Sequence, residues 1–518
     1  MTSLKICVDN SFSRFIGEIP VFLDDAFYNL LSYKIEGAEF SRVYNRHWDG
    51  VKRLYRKKTH TFPTGLLDRA LQYLKGIEVS YETIYPHPPT QKSVPFHGIL
   101  RDYQKHDLDK VSRFNVATVQ WPTGTGKSIL MGALLAKLGV TPAVVLVHTV
   151  DLMYQNQKFI ESLLHVKCGL IGNGQWNPQP ITIAILQTLH RGIVDKDKVV
   201  MEYIKSVKTM LVDETHHISA QTFFDVSERM ENAYYRYGFS ATPWRDDGHD
   251  LLIEAACGPK RIVRTISDMI EAGYLVPPKI YFLPVQHTKL MHGSKVKELT
   301  DKEFNAFVKD KDKPYGWVYK YWISKNLYFS ELVVRCAGDL VSSVKPVLIL
   351  VKHLEQGHML VELFKQLYPH LRTTFLEGEI KGPKRQEILE DVKKGKIDLL
   401  IATPLADEGL DFPIVKSMVI ANVGVSSVKT YQRVGRVLRP HEGKKEAIVI
   451  EFDMDVKYLR RHCKRRREIY LGERKFVVRK LTHEDVQQII LRRDTSTNQL
   501  FLLPQSPDVL RSQTNCQN

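Results

Sequence analysis

Between Val116 and Met131 the chain reads Val-Ala-Thr-Val-Gln-Trp-Pro-Thr-Gly-Thr-Gly-Lys-Ser-Ile-Leu-Met. A β-branched apolar run enters a glycine-rich turn, and Gly126-Lys127-Ser128 opens an apolar, helix-compatible segment. Strand, loop and helix in that order form a phosphate cradle. Backbone N–H groups across Thr123, Gly124, Thr125 and Gly126 face one anion, Lys127 reaches the β- and γ-phosphates, and Ser128 offers a hydroxyl to Mg²⁺. Trp121 stands where the usual pattern has its first glycine, so only Gly124 through Ser128 carry the match. A glycine-rich surface turn followed by a lysine is the plain alternative, and the rest of the chain has to decide.

Other residues point to the same chemistry. Met210-Leu211-Val212 reads as a strand delivering Asp213-Glu214-Thr215-His216. The C-terminal end of a strand is where an open α/β sheet places ligands. There Asp213 would hold Mg²⁺, directly or through water, and Glu214 would orient and deprotonate an attacking water. His216-His217 have no further ligands at metal-binding spacing. Upstream, Leu100-Arg101-Asp102-Tyr103-Gln104 ends about twenty residues before the loop. Glutamine can bond the N6/N7 edge of adenine, which makes Gln104, with Arg101 beside it, a candidate for adenine selection. Downstream, in Tyr237-Gly238-Phe239-Ser240-Ala241-Thr242-Pro243, the hydroxyls of Ser240 and Thr242 can bond across to the acidic pair and couple its state to strand binding; in isolation the stretch is a turn.

These residues need a scaffold. Apolar strands at Ala143–Val147 and Ile181–Leu186 alternate with helical patterns, the mark of a parallel α/β sheet. A second such pattern begins at Pro346, with strands at 347–351, 399–403 and 417–421. Between the two, the charged stretch 285–325 lacks a clean period and reads as a connection carrying helices. Near the N-terminus, Arg42 to Lys58 interleaves Arg46, Lys52, Arg53, Arg56, Lys57 and Lys58 with Tyr44, Trp48 and Tyr55. Asp49-Gly50 signals a hairpin there. Cations can track a phosphate backbone while rings stack on bases; a hairpin with Trp48 in its core and a solvated basic face is the alternative. Leu66 to Leu74 has helical spacing and backs this sheet, and Tyr85-Pro86-His87-Pro88-Pro89 reads as a linker. Lys457 to Arg467 is strongly basic, either a helix along a nucleic-acid path or a solvated helix end, and the polar residues from Ser506 fray.

At 518 residues the chain exceeds what one core usually organises, so three or more domains are expected. A net charge of +16 favours a polyanionic partner. No apolar run reaches the roughly 18 residues that span a bilayer, and the N-terminus lacks the layout of a signal peptide. The six cysteines are scattered without a Cys-x-x-Cys pair. They read as reduced thiols of a cytoplasmic protein, neither a disulfide framework nor a zinc site.

Thr123–Ser128, Asp213-Glu214-Thr215-His216 and Ser240-Ala241-Thr242-Pro243 resemble, in order, the motifs of superfamily 2 helicases and translocases. The resemblance continues in the second half. Thr403-Pro404-Leu405-Ala406-Asp407-Glu408-Gly409-Leu410-Asp411 is similar to the element that touches nucleic acid through Thr403 and nucleotide through Gly409 and Asp411. Gln432-Arg433-Val434-Gly435-Arg436-Val437-Leu438-Arg439-Pro440 resembles the arginine-finger motif. Arg436 and Arg439 lie three apart, so on a helix both would face the cleft between lobes and neutralise charge on the transferred phosphoryl. His148, Gln187 and Thr188 sit where the family contacts the nucleic-acid backbone. Asn45-x-x-Trp48-Asp49-Gly50-x-x-Arg53-Leu54 adds a likeness to the recombination and repair helicases of tailed bacteriophages, the UvsW type.

The resemblance implies two tandem RecA-like lobes, each a parallel sheet with helices on both faces. A small N-terminal α+β domain (1–90) precedes lobe 1 (91–278) and lobe 2 (279–455), and a basic helical extension (456–518) follows. It implies ATP and Mg²⁺ as cofactors. It also implies a monomer that translocates 3′–5′ on branched or forked DNA, a single strand lying in the motor groove, with branch migration and fork remodelling in recombination and repair. The motor subunit of a restriction enzyme, an RNA helicase and a DNA clamp with a vestigial ATPase stay open as alternatives.

Overall fold

The computed structural model describes residues 4–35, 38, 48–215, 220–241, 250–285, 289–292, 295–298, 313–378, 380, 382–403, 413–422, 427–456, 458–482 and 484. It divides into two compact units, Met1–Thr265 and Ile266–Asn518.

Unit one opens with strands β1 (Leu4–Val8) and β2 (Phe12–Ile16), helix α1 (Val21–Leu30), and strands β3 (Ser32–Lys34), β4 (Val51–Arg53) and β5 (Thr61–Pro63). Helix α2 (Leu67–Gly76) and strand β6 (Tyr81–Ile84) complete this part. Four strands form a sheet in the order β5-β2-β1-β6. Residues alternate across β1, with Leu4, Ile6 and Val8 inward, as period-two side chains require of a half-buried strand. Leu67, Ala70 and Leu74 turn one stripe of α2 inward, the helix that the spacing predicts. The strand paired with β4 is β3, with Lys52 opposite Tyr33. Residues 39–47, Arg46 among them, which would form the other arm of the hairpin expected across Asp49-Gly50, lie outside the described residues.

The apolar core of this N-terminal part runs without a break into the sheet that follows. Phe27, Phe62 and Leu66 belong to the same buried cluster as Val144, Phe223 and Leu252. Arg69 seals the join with paired bonds to Glu254 at 2.7 and 2.6 Å. Gly65 also approaches so closely that a Cβ there would lie 2.1 Å from the Glu254 carbonyl oxygen. An added methyl would force the two parts asunder.

Helix α3 (Asp102–Val111) leads into strand β7 (Val116–Gln120), helix α4 (Lys127–Leu138), strand β8 (Ala143–Val147) and helix α5 (Val150–Leu164). Strands β9 (Gly169–Gly172), β10 (Gln175–Asn177) and β11 (Ile181–Ile185), helix α6 (Leu186–Val194), and strands β12 (Thr209–Asp213), β13 (Tyr235–Ser240) and β14 (Lys260–Val263) follow. They form one eight-stranded sheet in the order β10-β9-β11-β8-β12-β13-β7-β14. Every pairing is parallel except β10 with β9. Strands β8, β11 and β12 are buried along their whole length, as helices on both faces demand.

Unit two carries strand β15 (Pro278–Pro284) and an antiparallel ribbon of β16 (Lys289–His292) with β17 (Lys295–Glu298). Strands β18 (Val347–Leu350), β19 (Thr373–Leu376), β20 (Leu399–Ala402), β21 (Ser417–Ile420), β22 (Ala447–Asp453) and β23 (Val477–Lys480) follow. Seven of them make an all-parallel sheet in the order β19-β20-β18-β21-β22-β15-β23. Both units thus have the RecA-like architecture. Among the described residues, the stretch 285–325 expected to connect the lobes holds this ribbon and a helix, Tyr315–Tyr319.

The basic C-terminal stretch is built into the second core. Helix Leu459–Leu471 buries His462, Cys463, Arg466, Ile469 and Tyr470, and β23 forms an edge of the sheet. Arg466 donates from Nη2 to Glu451 Oε2 at 2.8 Å, both side chains fully enclosed, and the Tyr470 hydroxyl donates to Glu451 Oε1 at 2.7 Å. The charge of this stretch reads as a helix along a nucleic-acid path or a solvated helix end, and Arg460, Arg461, Lys464 and Arg465 do stay exposed; pairing with a carboxylate on the neighbouring strand is what lets Arg466 enter the core.

Candidate functional site

The turn between β7 and α4 folds through Gly124 (φ +85°) and Gly126 (φ +86°), backbone conformations open to glycine and strained for other residues. Gly126 has a second constraint: a Cβ there would lie 2.5 Å from Gln104 Nε2. Gln104 is buried against the loop. Its Nε2 donates to the Thr125 carbonyl at 3.0 Å, and its Oε1 accepts from the Arg101 backbone N–H at 2.9 Å. The Tyr103 hydroxyl donates to the same Thr125 carbonyl. Helix α3 therefore holds the loop as well as flanking it. The Thr125 hydroxyl closes the turn on Pro122 O at 2.7 Å, and Thr123 and Ser128 are half-buried at the loop.

Parallel pairing aligns the C-terminal ends of β12, β13 and β7, with Asp213 opposite Phe239 and Ser240 opposite Gln120. The acidic pair, Ser240 and the phosphate loop consequently share one sheet edge. Lys127 Nζ lies 3.1 Å from Glu214 Oε1 and 3.4 Å from the Trp121 carbonyl. Glu214 adopts φ +51°, a left-handed conformation that is costly for a glutamate and marks a constrained site. Asp213 is buried, and its Oδ2 accepts from Asn156 Nδ2 at 3.2 Å. Burial, and next the charge of Glu214, push the Asp213 carboxyl up to about 6. Ser240 is fully buried, and its carbonyl accepts from the Trp121 N–H at 3.0 Å. Thr242 lies outside the described residues.

Further along the same edge, β8 and β11 are neighbours with Val147 opposite Ile185. This brings half-buried His148 alongside exposed Gln187 and half-buried Thr188. In the N-terminal part the expected nucleic-acid residues have protein partners. Trp48 Nε1 donates to Val51 O at 3.0 Å, and Lys52 donates to Gln221 Oε1. Arg53 pairs with Asp49 and lies over the Tyr28 ring, 4.6 Å from its centroid. That hydrogen-bonded guanidinium holds the Asp49 carboxyl down at about 2.

In unit two, Thr403 stands at the end of β20 with its Oγ1 buried and without a hydrogen-bond partner among the described residues. Gly409 and Asp411 lie outside them. Helix Ser427–Val437 buries Val434 and Val437 and leaves Gln432, Arg433 and Arg436 half-exposed. Arg439 falls past its end, so the two arginines do not share one helix face as their spacing suggested. Pro440 disfavours helical backbone at the residue before it. Burial lowers the Arg439 guanidinium below its usual range, and it draws Lys444 down to about 7, the neighbouring cations Lys416 and Arg439 contributing less.

Sequence reasoning missed Asn156, Asp107 and the role of Tyr103. Asn156 had a legible signal. It occupies an inward position of α5 with Met153, Ile160 and Leu163, where an amide needs a polar partner. Among the described residues, no three histidine, cysteine or acidic side chains gather as a metal cluster, and no helix is long and apolar enough to cross a membrane.

Residues 97–245 match the family model for the type III restriction enzyme res subunit, and residues 328–441 that for the helicase conserved C-terminal domain. The chain is 25% identical over 349 residues to a DNA 3'-5' helicase XPB of Kineococcus radiotolerans, covering 66% of this chain and 57% of that protein. Among solved structures, a fragment of an HsdR subunit of a type I restriction enzyme from Vibrio vulnificus aligns at TM-score 0.51 and 17% identity, over 74% of this chain and 70% of that one. T4 UvsW aligns at TM-score 0.43 and 18% identity, over 93% and 99% of the two chains. The chain spans between 57% and 64% of the length of the first two curated relatives it matches.

Proposed function

We propose, for a chain that belongs to the superfamily 2 helicases, that it hydrolyses ATP with Mg²⁺ and uses the energy to move along DNA, separating or remodelling strands at branches and forks. One observation carries this reading. Lys127 Nζ stands 3.1 Å from Glu214 Oε1, beside the buried Asp213, at the sheet edge where the glycine turn opens helix α4.

A divalent cation fits this edge. Asp213 is enclosed beside a second carboxylate, an arrangement that disfavours its charged form, and a cation would reverse that. Asp213 and the hydroxyl of Ser128 would hold the ion, which when bound supplies positive charge against the phosphates. Lys127 would leave Glu214 for the β- and γ-phosphates, and Glu214, so released, would orient the attacking water and take its proton. Tyr103 and Gln104 hold Thr125 so that the loop N–H groups stay aimed at the anion. Arg436, Arg439, Gln432, Gly409 and Asp411 carry the nucleotide roles that the family motifs assign. His148, Gln187, Thr188 and Thr403 contact the strand backbone, and Trp48, Lys52 and Arg53 support binding from the N-terminal part. The polarity proposed is 3′–5′.

DNA-stimulated ATP hydrolysis, measured on wild type and Glu214→Gln, tests the assignment. Wild type should respond to DNA, and the variant should lose about 10²–10⁴-fold in kcat while still binding nucleotide. A wild-type ATPase indifferent to DNA refutes the motor function. Comparing a Holliday junction, a forked duplex and an RNA duplex then identifies the substrate. The match to a restriction-enzyme subunit favours a second reading, translocation without strand separation. Triplex displacement with no unwinding of a forked duplex would select it.

A further inference from the structure

Trp121 is where the phosphate loop departs from its usual pattern, and the roles above leave its side chain unused. The indole is fully buried. Its Nε1 donates to Asp107 Oδ2 at 3.0 Å, and its ring meets Tyr103 edge-on with centroids 5.2 Å apart. Asp107, itself buried, takes a two-pronged pair from Arg264, Nε to Oδ2 at 2.6 Å and Nη2 to Oδ1 at 2.8 Å. His106 Nδ1 lies 3.0 Å from Oδ1. Arg264 also covers the Tyr103 ring, 5.2 Å from its centroid, and its backbone N–H donates to Gln120 O at 2.9 Å.

The main chain of Arg264 is thus anchored on Gln120, where the phosphate loop begins, and its side chain on Asp107, the carboxylate that also holds the Trp121 indole. Arg264 is one residue from the end of unit one at Thr265. On its loop side, Trp121 offers its carbonyl to Lys127 Nζ at 3.4 Å. A smaller residue at position 121 would fill neither the space nor the donor role. Phenylalanine fills the space but cannot donate to Asp107.

We propose that Trp121, Asp107 and Arg264 form a positioning relay, which passes the response of Lys127 and the phosphate loop to a bound nucleotide into the segment by which the chain leaves unit one. A charge-assisted, two-pronged pair on a buried carboxylate is directional and stiff, so displacement of Trp121 moves Arg264 and is not absorbed by loose packing. Trp121 here is a positioning residue, not a catalytic one. The proposal rests on the reading of the loop as an ATP site.

The test uses the full chain carrying Trp121→Phe, Asp107→Asn or Arg264→Lys. Each is assayed for ATP kcat and KM, for separation of a forked duplex, and for hydrogen exchange of the peptide following Arg264 with and without Mg²⁺-ATPγS. In wild type, ATPγS should change the exchange of that peptide. In each variant the change should vanish, and duplex separated per ATP hydrolysed should fall at least about tenfold beyond any fall in kcat. Hydrolysis and separation falling in equal proportion would overturn the relay, as would an exchange response that survives all three substitutions. Should Trp121→Phe fail to fold, Asp107→Asn and Arg264→Lys carry the same readouts. A wild type that hydrolyses no ATP yet shows the exchange response, lost in the variants, would refute the motor function and support the relay.

Discussion

Removing Arg466 puts the placement of the C-terminal helix to a quantitative test. Arg466→Met leaves the Glu451 carboxylate fully enclosed with one remaining side-chain donor among the described residues, the Tyr470 hydroxyl at 2.7 Å. An enclosed carboxylate that has lost its cation costs far more than the pair it came from, because the Coulombic partner goes while the desolvation stays. The deficit against wild type should therefore be roughly 3–5 kcal/mol, the range for breaking a buried pair from one side. Urea unfolding of the full chain followed by far-ultraviolet circular dichroism, read at the transition of unit two, measures it. Arg466→Met combined with Glu451→Gln keeps the acceptor for Tyr470 and removes the charge, and should recover most of the loss. A deficit below about 1 kcal/mol, or one that the double substitution leaves unchanged, would refute burial of this charge pair.

Two further outcomes concern ligands. Because burial and Glu214 push the Asp213 carboxyl up to about 6, protons compete with Mg²⁺ there, and the Mg²⁺ concentration for half-maximal hydrolysis should rise as pH falls through that value. Mg²⁺ titrations at either side of it check this, and an unchanged requirement counts against Asp213 as a ligand. DNA affinity, followed by fluorescence anisotropy, should fall about 10³–10⁵-fold between 50 and 200 mM salt if six to ten phosphates are contacted. A flat response refutes the backbone-binding assignments.

Much of the fold and of the candidate site was legible because short motifs and strand periodicity are local. The buried β8, β11 and β12 stand where apolar runs predicted strands, since a helix-covered parallel strand buries both faces and needs no partner to be recognised. Glycine at 124 and 126, lysine at 127 and the carboxylates at 213 and 214 were likewise picked out by what the proposed phosphate and its cation would require of residue type, and the structure gathers them at one sheet edge. Charge runs were less informative. Arg53 and Arg466 read alike in sequence, yet one pairs at the surface with Asp49 and the other in the core with Glu451.

What only the tertiary structure decided was which distant residues meet. Asp107 and Arg264 lie 157 positions apart, and nothing in the local pattern of either announces the other or the indole of Trp121 that joins them. The same holds for Asn156 on Asp213 and for the core that fuses the N-terminal part to the eight-stranded sheet. Backbone preference and side-chain period are written residue by residue along the chain. Pairing between remote side chains depends on register and strand order, which long-range packing sets.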